Sequence, residues 1–489
     1  TRSTSANTLY QVRTGVSPVG QLHSGYEFNP RDPNFDDEPW PILRNNVSLT
    51  YDSTNSKHLL AVSYGSEYYN LGYRTRIYIL TPTSGSIGFT NQYVDIIVND
   101  SSTNLYKIDS YDDSYGAIKI HFHTGCNKIM LLCQGESHTA NGGPSIILKV
   151  GTLSYTGSNP TFTWQSTTTL SPSTNNNYPP TLDLQQHPTE ANKALIFYKI
   201  NRFGTTPWVL KPITVATNGS ITLGVETTVQ AADSIHMAEL LFAQQNAFVI
   251  RAFNQEYVSN IELTTGVYTI GSTDAQDSVS VDSTTIVSTS AASKYDNQKG
   301  TIFIPDKNLY IIAYHKTGDK PIVRPFTIDS STRAITLGVE TELPTMTGSD
   351  RSGWLSLGFR SDLNLPCIII SRFGSGNPSK FFEAQSFDIV QHPTDASLNT
   401  VSPRALHTDT SLYFQMPSRN QILFDTVKRY FLVLGSTDVS YGSYYAGQLL
   451  VYEGHKPLSF TNYRSVTAVP QLISVSLENG AASVTNTNS

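Results

Sequence analysis

The sequence has few charged residues, few cysteines and no long apolar run. Asp, Glu, Lys and Arg make up only 15% of the 489 residues, and the formal net charge is −6. A general nucleic-acid-binding protein carries a basic face. The acidic average of this chain, which no block of Lys and Arg offsets, argues against that class of protein. No apolar run approaches the roughly 18–20 residues that span a bilayer. We therefore expect a soluble chain with no nucleic-acid partner and no membrane insertion.

Three cysteines are too few for a disulfide scaffold. Cys126 and Cys133 flank an apolar run at an odd spacing, which places them on opposite faces if the run is a strand. We therefore predict buried free thiols rather than a bond between these two residues. The cysteines do not indicate whether the protein resides in a reducing or an oxidising compartment.

The residues typical of helices are also scarce. Aromatic residues reach 11% and hydrophobic residues 38%, and Ser, Thr, Asn and Gly supply much of the remainder. This mixture is too rich in Tyr and Phe for disorder and too poor in Ala, Leu, Glu and Lys for helices. It predicts an all-β fold whose strands present neutral hydroxyls and amides to solvent.

Two phrases recur along the chain. Ile221–Thr227 returns letter for letter as Ile335–Thr341, 114 residues further on, and Ile200–Gly204 is echoed by Ile370–Gly374, 170 residues further on. Both shifts lie near multiples of 57, so the sequence predicts a structural repeat of about that length. A third echo, the Gln-His-Pro-Thr of residues 186–189 and 391–394, does not fit the period. It is either a recurring loop phrase or a coincidence.

Apolar runs follow the same rhythm. Seven of them, each about six residues long and rich in Ile, Val, Leu, Phe and Tyr, have the profile of strands buried on both faces. They are His58–Tyr64, Asn127–Cys133, Asn192–Tyr198, Gln245–Arg251, Asn308–Tyr314, Leu365–Ser371 and Arg429–Gly435.

Short polar turns rich in Asn, Asp, Gly and Ser join several of these runs to a preceding strand, as in β-hairpins. Two more strand-like segments follow most runs, and four strands per repeat are the unit of a β-propeller. We predict a β-propeller of about seven four-stranded blades over 45–478, an N-terminal arm and loop over 1–44, and a flexible tail over 479–489. The ring is expected to close by pairing an N-terminal with a C-terminal strand, and Leu472–Leu477 is a candidate for the latter.

Residues Tyr310–Thr341 show the repeat best, with an apolar strand, a polar loop, a second strand and the Ile-Thr-Leu-Gly-Val-Glu-Thr phrase. This unit resembles the propeller-like repeats of tail fibres and other virion surface proteins of tailed bacteriophages. The resemblance covers about 45–470, although long insertions around Asp95–Tyr115 and Asn141–Asn177 depart from it. It implies a virion-exposed structural or host-recognition protein.

Tyrosines in Gly- and Ser-containing segments after the apolar runs are the candidate ligand-binding residues, because aromatic rings on loops stack on sugar faces. The same segments suit subunit contacts, where Tyr is enriched, or burial between blades. A repeated Arg-Phe-Gly phrase adds arginines that either grip a carboxylate or make a structural contact, which we favour. The full set is Tyr64, Tyr68, Tyr69, Tyr73, Arg202, Arg372, Tyr441, Tyr444 and Tyr445.

Some propellers are glycosidases, which need a pair of positioned carboxylates. The candidates are Glu67, Glu136, Glu256 and Asp319, each a few residues past an apolar run, and solvated loop acids are the simpler interpretation. The Ser-x-Asp-x-Gly-x-Thr-Trp turns of sialidases do not occur. The sequence also lacks a Gly-x-Ser-x-Gly motif and a Walker motif.

No metal or cofactor is expected. The acidic clusters Asp109–Asp113 and Asp36–Glu38 lack EF-hand spacing and are interpreted as exposed turns. His121 and His123 alternate, so they share one strand face, but no third ligand accompanies them.

Together these features predict a non-catalytic virion or extracellular structural or adhesion protein. Its partners would be a cell-surface glycan or host receptor and neighbouring subunits, in a homo-oligomer. The alternative is a secreted glycan-cleaving propeller that uses loop carboxylates.

Overall fold

A computed structural model gives the fold of the chain. It describes residues 8–12, 22–28, 47–66, 71–82, 89–97, 118–135, 145–156, 159–171, 181–199, 207–230, 237–244, 246–253, 259–291, 300–316, 320–344, 353–373, 380–409, 422–426, 429–438, 445–452, 460–465, 473–478 and 481–486. The regular elements in these ranges are β-strands and three short 3₁₀ turns. No described helix is long and apolar enough to cross a membrane.

The described strands form seven antiparallel units, which we call blades 1 to 7 in chain order. Blade 1 comprises β3–β6 (Val47–Asp52, Lys57–Ser66, Leu71–Pro82, Phe89–Ile97), and blade 2 comprises β7–β10 (Ile118–His123, Lys128–Gly135, Ser145–Thr156, Asn159–Ser171). Blade 3 comprises β11–β15 (Thr181–Gln186, Lys193–Lys199, Trp208–Val215, Ile221–Leu223, Thr227–Gln230). Blade 4 comprises β16–β19 (Met237–Gln244, Ala247–Phe253, Ser259–Thr269, Ser278–Ala291). Blades 5 to 7 comprise β20–β24 (Thr301–Ile304, Leu309–Lys316, Lys320–Ile328, Ile335–Leu337, Thr341–Glu342), β25–β28 (Gly353–Arg360, Leu365–Phe373, Lys380–Val390, Thr400–Asp409) and β29–β31 (Ile422–Asp425, Tyr430–Asp438, Tyr445–Tyr452) with β2 (Leu22–Phe28).

The outermost strand is split into two short pieces in blades 3 and 5. A single residue pair, Ala291 with Lys316, links the sheets of blades 4 and 5. The first strands of successive blades lie next to one another, so they form the inner wall of the ring. The chain is therefore an all-β propeller of seven four-stranded blades, as the sequence predicts.

Each of the seven predicted apolar runs forms the second strand of a blade, which confirms that prediction. These strands are buried on both faces because a blade packs against a neighbour on either side. In β12, for example, all residues from Lys193 to Lys199 are buried.

The turns between first and second strands also follow the sequence. Five residues with positive φ stand immediately before a second strand: Ser56, Asn127, Asn308, Asn364 and Arg429. Asn tolerates the left-handed conformation better than most residues, and it supplies three of these five positions.

Apolar clusters fill the seams between blades. Seven clusters of buried residues are present in the described part, one at each seam. The seam that closes the ring joins Val62 of blade 1 to Leu432 of blade 7. His58 and Asp425 meet across the same seam at 2.8 Å and are almost fully buried. Blades 1 and 7 are therefore direct neighbours.

The closing strand comes from the N-terminal region. β2 pairs with β31 from Leu22 opposite Tyr452 to Phe28 opposite Gly447, and it completes blade 7 as its outermost strand. The prediction that Leu472–Leu477 supplies a closing strand is wrong, because β33 (Ile473–Glu478) pairs with β34 (Ala481–Asn486) instead.

The domain boundaries shift accordingly. The predicted arm 1–44 contains β2, which belongs to the propeller, and β1 (Thr8–Val12), which pairs with β32 (Phe460–Ser465). The predicted tail 479–489 contains the strand β34. Blade 7 ends at Tyr452, earlier than the predicted boundary at residue 478.

The repeated Ile-Thr-Leu-Gly-Val-Glu-Thr segment joins each of its two blades to the next blade through a main-chain hydrogen bond. At Gly224 the outermost strand of blade 3 breaks, and the N–H of Val225 donates to the carbonyl oxygen of Asp277 in blade 4 at 2.7 Å. A Cβ at Gly224 would lie 2.5 Å from that oxygen. The second copy repeats this contact between blades 5 and 6, where the Val339 N–H donates to the Asn399 carbonyl at 2.8 Å.

The Gln-His-Pro-Thr echo is a recurring loop phrase at two different positions in a blade. Nδ1 of His187 accepts the N–H groups of Thr189 and Glu190 at 3.2 and 3.0 Å, in the first turn of blade 3. Nδ1 of His392 accepts the N–H of Asp395 at 3.1 Å, in the last turn of blade 6. This position explains why the phrase does not follow the repeat period.

Closure by β2 predicts a sharp step in stability between two truncations. Removal of residues 1–21 should leave the thermal midpoint near that of the full chain. Removal of residues 1–28 should lower it clearly, because the β31 edge loses several hydrogen bonds worth about 1 kcal/mol each. Removal of residues 466–489 is the matched control and should have little effect. Equal midpoints for the two N-terminal truncations, measured by calorimetry, would contradict closure by β2.

The docking role of the phrase predicts that Gly224→Ala and Gly338→Ala each destabilise the protein by about 1–3 kcal/mol, because the added methyl overpacks against a carbonyl. Val225→Ala is the control, since Val225 is 50% exposed, and it should cost much less. Urea unfolding measures all three variants. A harmless Gly224→Ala would show that the close approach is not needed.

Candidate functional site

In the sequence, the nine predicted ligand-binding residues stand near the end of the second strand of a blade, near the start of its third strand, or between the two. Tyr64, Tyr73, Arg372 and Tyr445 lie within β4, β5, β26 and β31. The prediction that the tyrosines stand in loops is therefore wrong for Tyr64, Tyr73 and Tyr445. The five remaining residues lie outside the described part of the chain: Tyr68, Tyr69, Arg202, Tyr441 and Tyr444.

The second strands of all blades run in the same direction, away from the hairpin turns, so they end together at what we call the connection end. In blade 1 this end is marked by the pair Tyr64–Arg74, and in blade 7 by the pair Asp438–Tyr445.

Ring closure decides which predicted residues come together. The tyrosines of residues 64–73 belong to blade 1 and those of residues 441–445 to blade 7, and these blades share a seam. Arg202 follows β12 of blade 3, and Arg372 lies in β26 of blade 6, so the two arginines belong to separate blades. Blades 1 and 7 are thus neighbours, and blade 6, which carries Arg372, borders blade 7 on its other side.

The predicted acidic candidates contribute nothing to the described geometry. Glu67, Glu136, Glu256 and Asp319 lie outside the described residues, as do the clusters around Asp109 and Asp36. The described carboxylates are a different set, and sequence reasoning missed them. Several of the buried ones, among them Asp183, Glu239 and Asp425, contact a neighbouring blade.

One group of polar side chains completes the hydrogen bonding of the inner wall. Each inner strand has one edge without a strand partner, and an unpaired buried N–H costs about 1–3 kcal/mol. Between blades 1 and 2, Oγ of Ser48 accepts the N–H of Ile120, and Oγ1 of Thr50 accepts the N–H of Phe122, both at 3.1 Å.

Between later blades, carboxylates accept the main-chain N–H groups of the neighbouring blade in the same way. Oδ2 of Asp183 in blade 3 accepts the N–H of Leu240 in blade 4 at 3.0 Å. Its Oδ1 lies 3.0 Å from Nζ of Lys119 in blade 2, so one carboxylate links three blades. Oε2 of Glu239 in blade 4 likewise accepts the N–H of Gly300, next to blade 5, at 3.1 Å.

A buried cation lies between blades 3 and 4. Nζ of Lys193 contacts Oδ2 of Asp277 at 2.5 Å and Oδ1 of Asp274 at 3.0 Å. Asp277 also accepts the hydroxyl of Tyr268 at 2.7 Å and the N–H of Gly271 at 2.9 Å.

The electrostatics of this group follow from its contacts. Burial alone would raise the pKa of Asp277, but the hydrogen bonds from Lys193, Gly271 and Tyr268 outweigh burial and lower it. Burial likewise opposes the charge of Lys193, yet its two carboxylate partners raise its pKa. Burial and the bond to Asp277 raise the pKa of Tyr268, so it stays a neutral donor. Such a permanently charged, satisfied group stabilises a seam and has no group free to react.

The two predicted strand histidines do share one face, and that face looks toward blade 3. Nε2 of His123 lies 3.3 Å from the carbonyl oxygen of Lys193, and the His121 and His123 rings are 6.3 Å apart, edge to face. Burial, with His123 and Lys119 nearby, lowers the pKa of His121 to about 4, and burial also lowers the pKa of His123. No group of three or more His, Cys, Asp or Glu suited to a metal occurs among the described residues.

The three cysteines are free and buried, as predicted. Cys126 packs in the seam between blades 2 and 3, and Cys133 packs in the seam between blades 1 and 2, on the opposite face of the sheet. Burial raises the pKa of Cys126 to about 11 and those of Cys133 and Cys367 to about 12. All three therefore remain thiols at neutral pH and are poor nucleophiles.

Comparisons with known proteins leave the family open. No family model matches the sequence, nor does any curated protein. Among solved structures, the chain is similar to Sqt1 from Chaetomium thermophilum, with 7% identity, a TM-score of 0.42, and coverage of 84% of this chain and 97% of that chain. It is also similar to a putative 6-phosphogluconolactonase from Bacteroides uniformis, with 9% identity, a TM-score of 0.39, and coverage of 79% and 95%.

A further similar structure is Trypanosoma rangeli sialidase in complex with the inhibitor DANA. It shows 8% identity, a TM-score of 0.37, and coverage of 75% of this chain and 58% of that chain. Likenesses at this level assign no activity to the chain, and the propeller fold rests on its own sheets and seams.

Proposed function

We propose that this chain is a non-catalytic structural or adhesion protein of a virion surface or the extracellular space. Its connection end binds cell-surface glycan, or an equivalent host receptor, through the tyrosines of blades 1 and 7. The observation that supports the proposal is that the strands flanking the two tyrosine clusters in the sequence, β4 with β5 and β30 with β31, belong to blades that share a seam.

Tyrosine suits this task for physical reasons. Its ring buries a large apolar area against the faces of sugars, and its hydroxyl bonds to their edges. Tyrosines on two adjacent blades offer several such contacts to one oligosaccharide. A net charge of only −6 over the whole chain suits a largely neutral ligand.

The described acids support a binding role over a catalytic one. A glycosidase needs one carboxyl group with a raised pKa and a second in its reach. Among the described residues, Asp183, Glu239 and Asp277 are instead engaged with N–H groups and cations of neighbouring blades. They stabilise the ring that holds the connection end in place.

Assembly into a homo-oligomer completes the proposal. A single shallow aromatic site binds sugar modestly, and several copies on one particle raise the avidity without new contacts. The same tyrosine-bearing end would also serve a contact with a neighbouring subunit. Arg202 and Arg372 belong to other blades, and we do not assign them to the shared site.

Glycan-array binding by the full chain, with sugar release measured in the same wells, tests the proposal. We expect saturable binding without release. Release of sugars would overturn the non-catalytic assignment in favour of a glycan-cleaving enzyme. Absence of both signals would contradict glycan recognition and leave subunit contact as the role of this end.

Variants then test whether the site spans the seam. Tyr68→Ala/Tyr69→Ala in blade 1 and Tyr441→Ala/Tyr444→Ala in blade 7 should each weaken binding of the same glycan by about tenfold or more, since each aromatic contact contributes roughly 0.5–1.5 kcal/mol. Tyr93→Ala is the matched control, because Tyr93 is 53% exposed on the outermost strand of blade 1. Loss of affinity with only one of the two pairs would show that the site does not cross the seam.

A further inference from the structure

The seam between blades 2 and 3 differs chemically from its neighbours. β7 presents Ile118, Ile120 and Phe122 to blade 1, where they join an apolar cluster. Its other face presents Lys119, His121 and His123 to blade 3. The adjacent seam between blades 1 and 2 relies instead on hydroxyls of Ser48 and Thr50, which do not titrate.

Each of the two histidines has a buried ring nitrogen without a described partner. His123 is fully buried, and its Nε2 faces the carbonyl of Lys193, so Nε2 carries the proton and Nδ1 is left without a partner. Nε2 of His121 is also buried and without a described partner. The acceptors near the two rings are neutral oxygens, from Gln186 beside His121 and from main-chain carbonyls beside His123, so a second proton would add a buried positive charge that they do not balance.

The groups packed around the pair cannot compensate for that charge. On β7, Lys119 adds a positive charge, and on β8, Lys128 stands opposite His123. On β11, the carboxylate of Asp183 already pairs with Lys119, while Gln186 is neutral. β12 offers the carbonyl of Lys193, whose ammonium group is held by Asp274 and Asp277.

His58 provides the contrast within the same ring. It is also fully buried at a seam, but its Nε2 lies 2.8 Å from the carboxylate of Asp425. A carboxylate thus faces the His58 ring across its seam. The seam between blades 2 and 3 has two histidines and no carboxylate free for either.

We propose that the seam between blades 2 and 3 is an acid-sensitive joint of the ring, at which β7 separates from β11 as the pH falls below about 6. The acid sensitivity of this seam is separate from the proposed binding role and does not depend on it. The ring would stay closed at neutral pH, and this seam, where two such histidines lie side by side, would open in a mildly acidic compartment.

The sign of the effect follows from proton linkage. Closed, His121 resists protonation until about pH 4, whereas the opened strand takes up a proton near the ordinary value of 6.5. Opening is therefore unaffected above about pH 6.5 and is favoured progressively between that value and pH 4. From His121 alone, opening should be about 30-fold more favourable at pH 5 than at pH 8. Burial also lowers the pKa of His123, so this residue adds to the preference for opening in acid.

Hydrogen exchange of the full chain, corrected for the intrinsic pH dependence of amide exchange, measures this opening. The peptide covering 118–135, whose two histidines are His121 and His123, should lose protection by at least tenfold between pH 7.5 and pH 5. The peptide covering 353–373 in blade 6 contains no histidine and should not. Equal changes in the two peptides would overturn the proposal.

Variants tie the effect to the two rings. In His121→Asn/His123→Gln the amide groups keep the neutral hydrogen bonds but cannot take up a proton, and the pH-dependent loss of protection should disappear. His392→Asn is the control, since His392 lies in an exposed turn of blade 6, and it should behave as the unaltered chain does. If the double variant does not fold, His121→Asn alone should remove most of the pH dependence. An unchanged pH dependence of protection in either variant would contradict the proposal that this seam opens in acid.

Discussion

The inner edge of every blade is the constraint on which the rest of the structure depends. The first strand of each blade leaves one edge without a strand partner, in a position where neighbouring blades exclude solvent. In the described seams, side chains of Ser, Thr, Asp and Glu take up these N–H groups from the adjacent blade. Hydroxyls and carboxylates are thus as much a part of the ring as its apolar clusters.

This constraint also accounts for the chemistry of the described acids. Asp183 bonds to an N–H of blade 4 and a cation of blade 2, and Asp277 gathers Lys193, Tyr268 and the N–H of Gly271. The partners of both residues are those of structural charges, and the hydrogen bonds of Asp277 lower its pKa despite its burial. The proposed function therefore draws on the connection end of the ring, where the chain returns from second to third strands.

Much of the fold is predictable from the sequence, for a physical reason. A second strand packs between two blades, so it is apolar on both faces and stands out as a continuous run, as Leu365–Ser371 does. The turn before it needs a left-handed residue, so Asn127 and Asn364 mark its beginning. The repeated Gly224 and Gly338 are fixed by close contact with the next blade, so the repeat is preserved in the letters.

Other features leave no such signal. The sequence Leu-His-Ser-Gly-Tyr-Glu-Phe of β2 mixes polar and apolar residues with a glycine, so it does not stand out as an apolar run. Buried Asp183 and Glu239 look like solvent-facing residues, since their partners lie in other blades. The juxtaposition of the tyrosine clusters depends on ring closure, which long-range pairing decides and local patterns do not.

Ring closure by β2 is therefore the central claim, since it ties the N-terminal region to blade 7, and the proposed tyrosine site requires a closed ring. Glu27 and Gln448 stand opposite each other in the β2–β31 pair. Cysteines on such opposed residues are within reach of a disulfide. Glu27→Cys/Gln448→Cys should oxidise to an intramolecular bond in the folded chain. Failure to form this bond, together with its formation in Val475→Cys/Gln448→Cys, would contradict the account and assign the closing strand to β33.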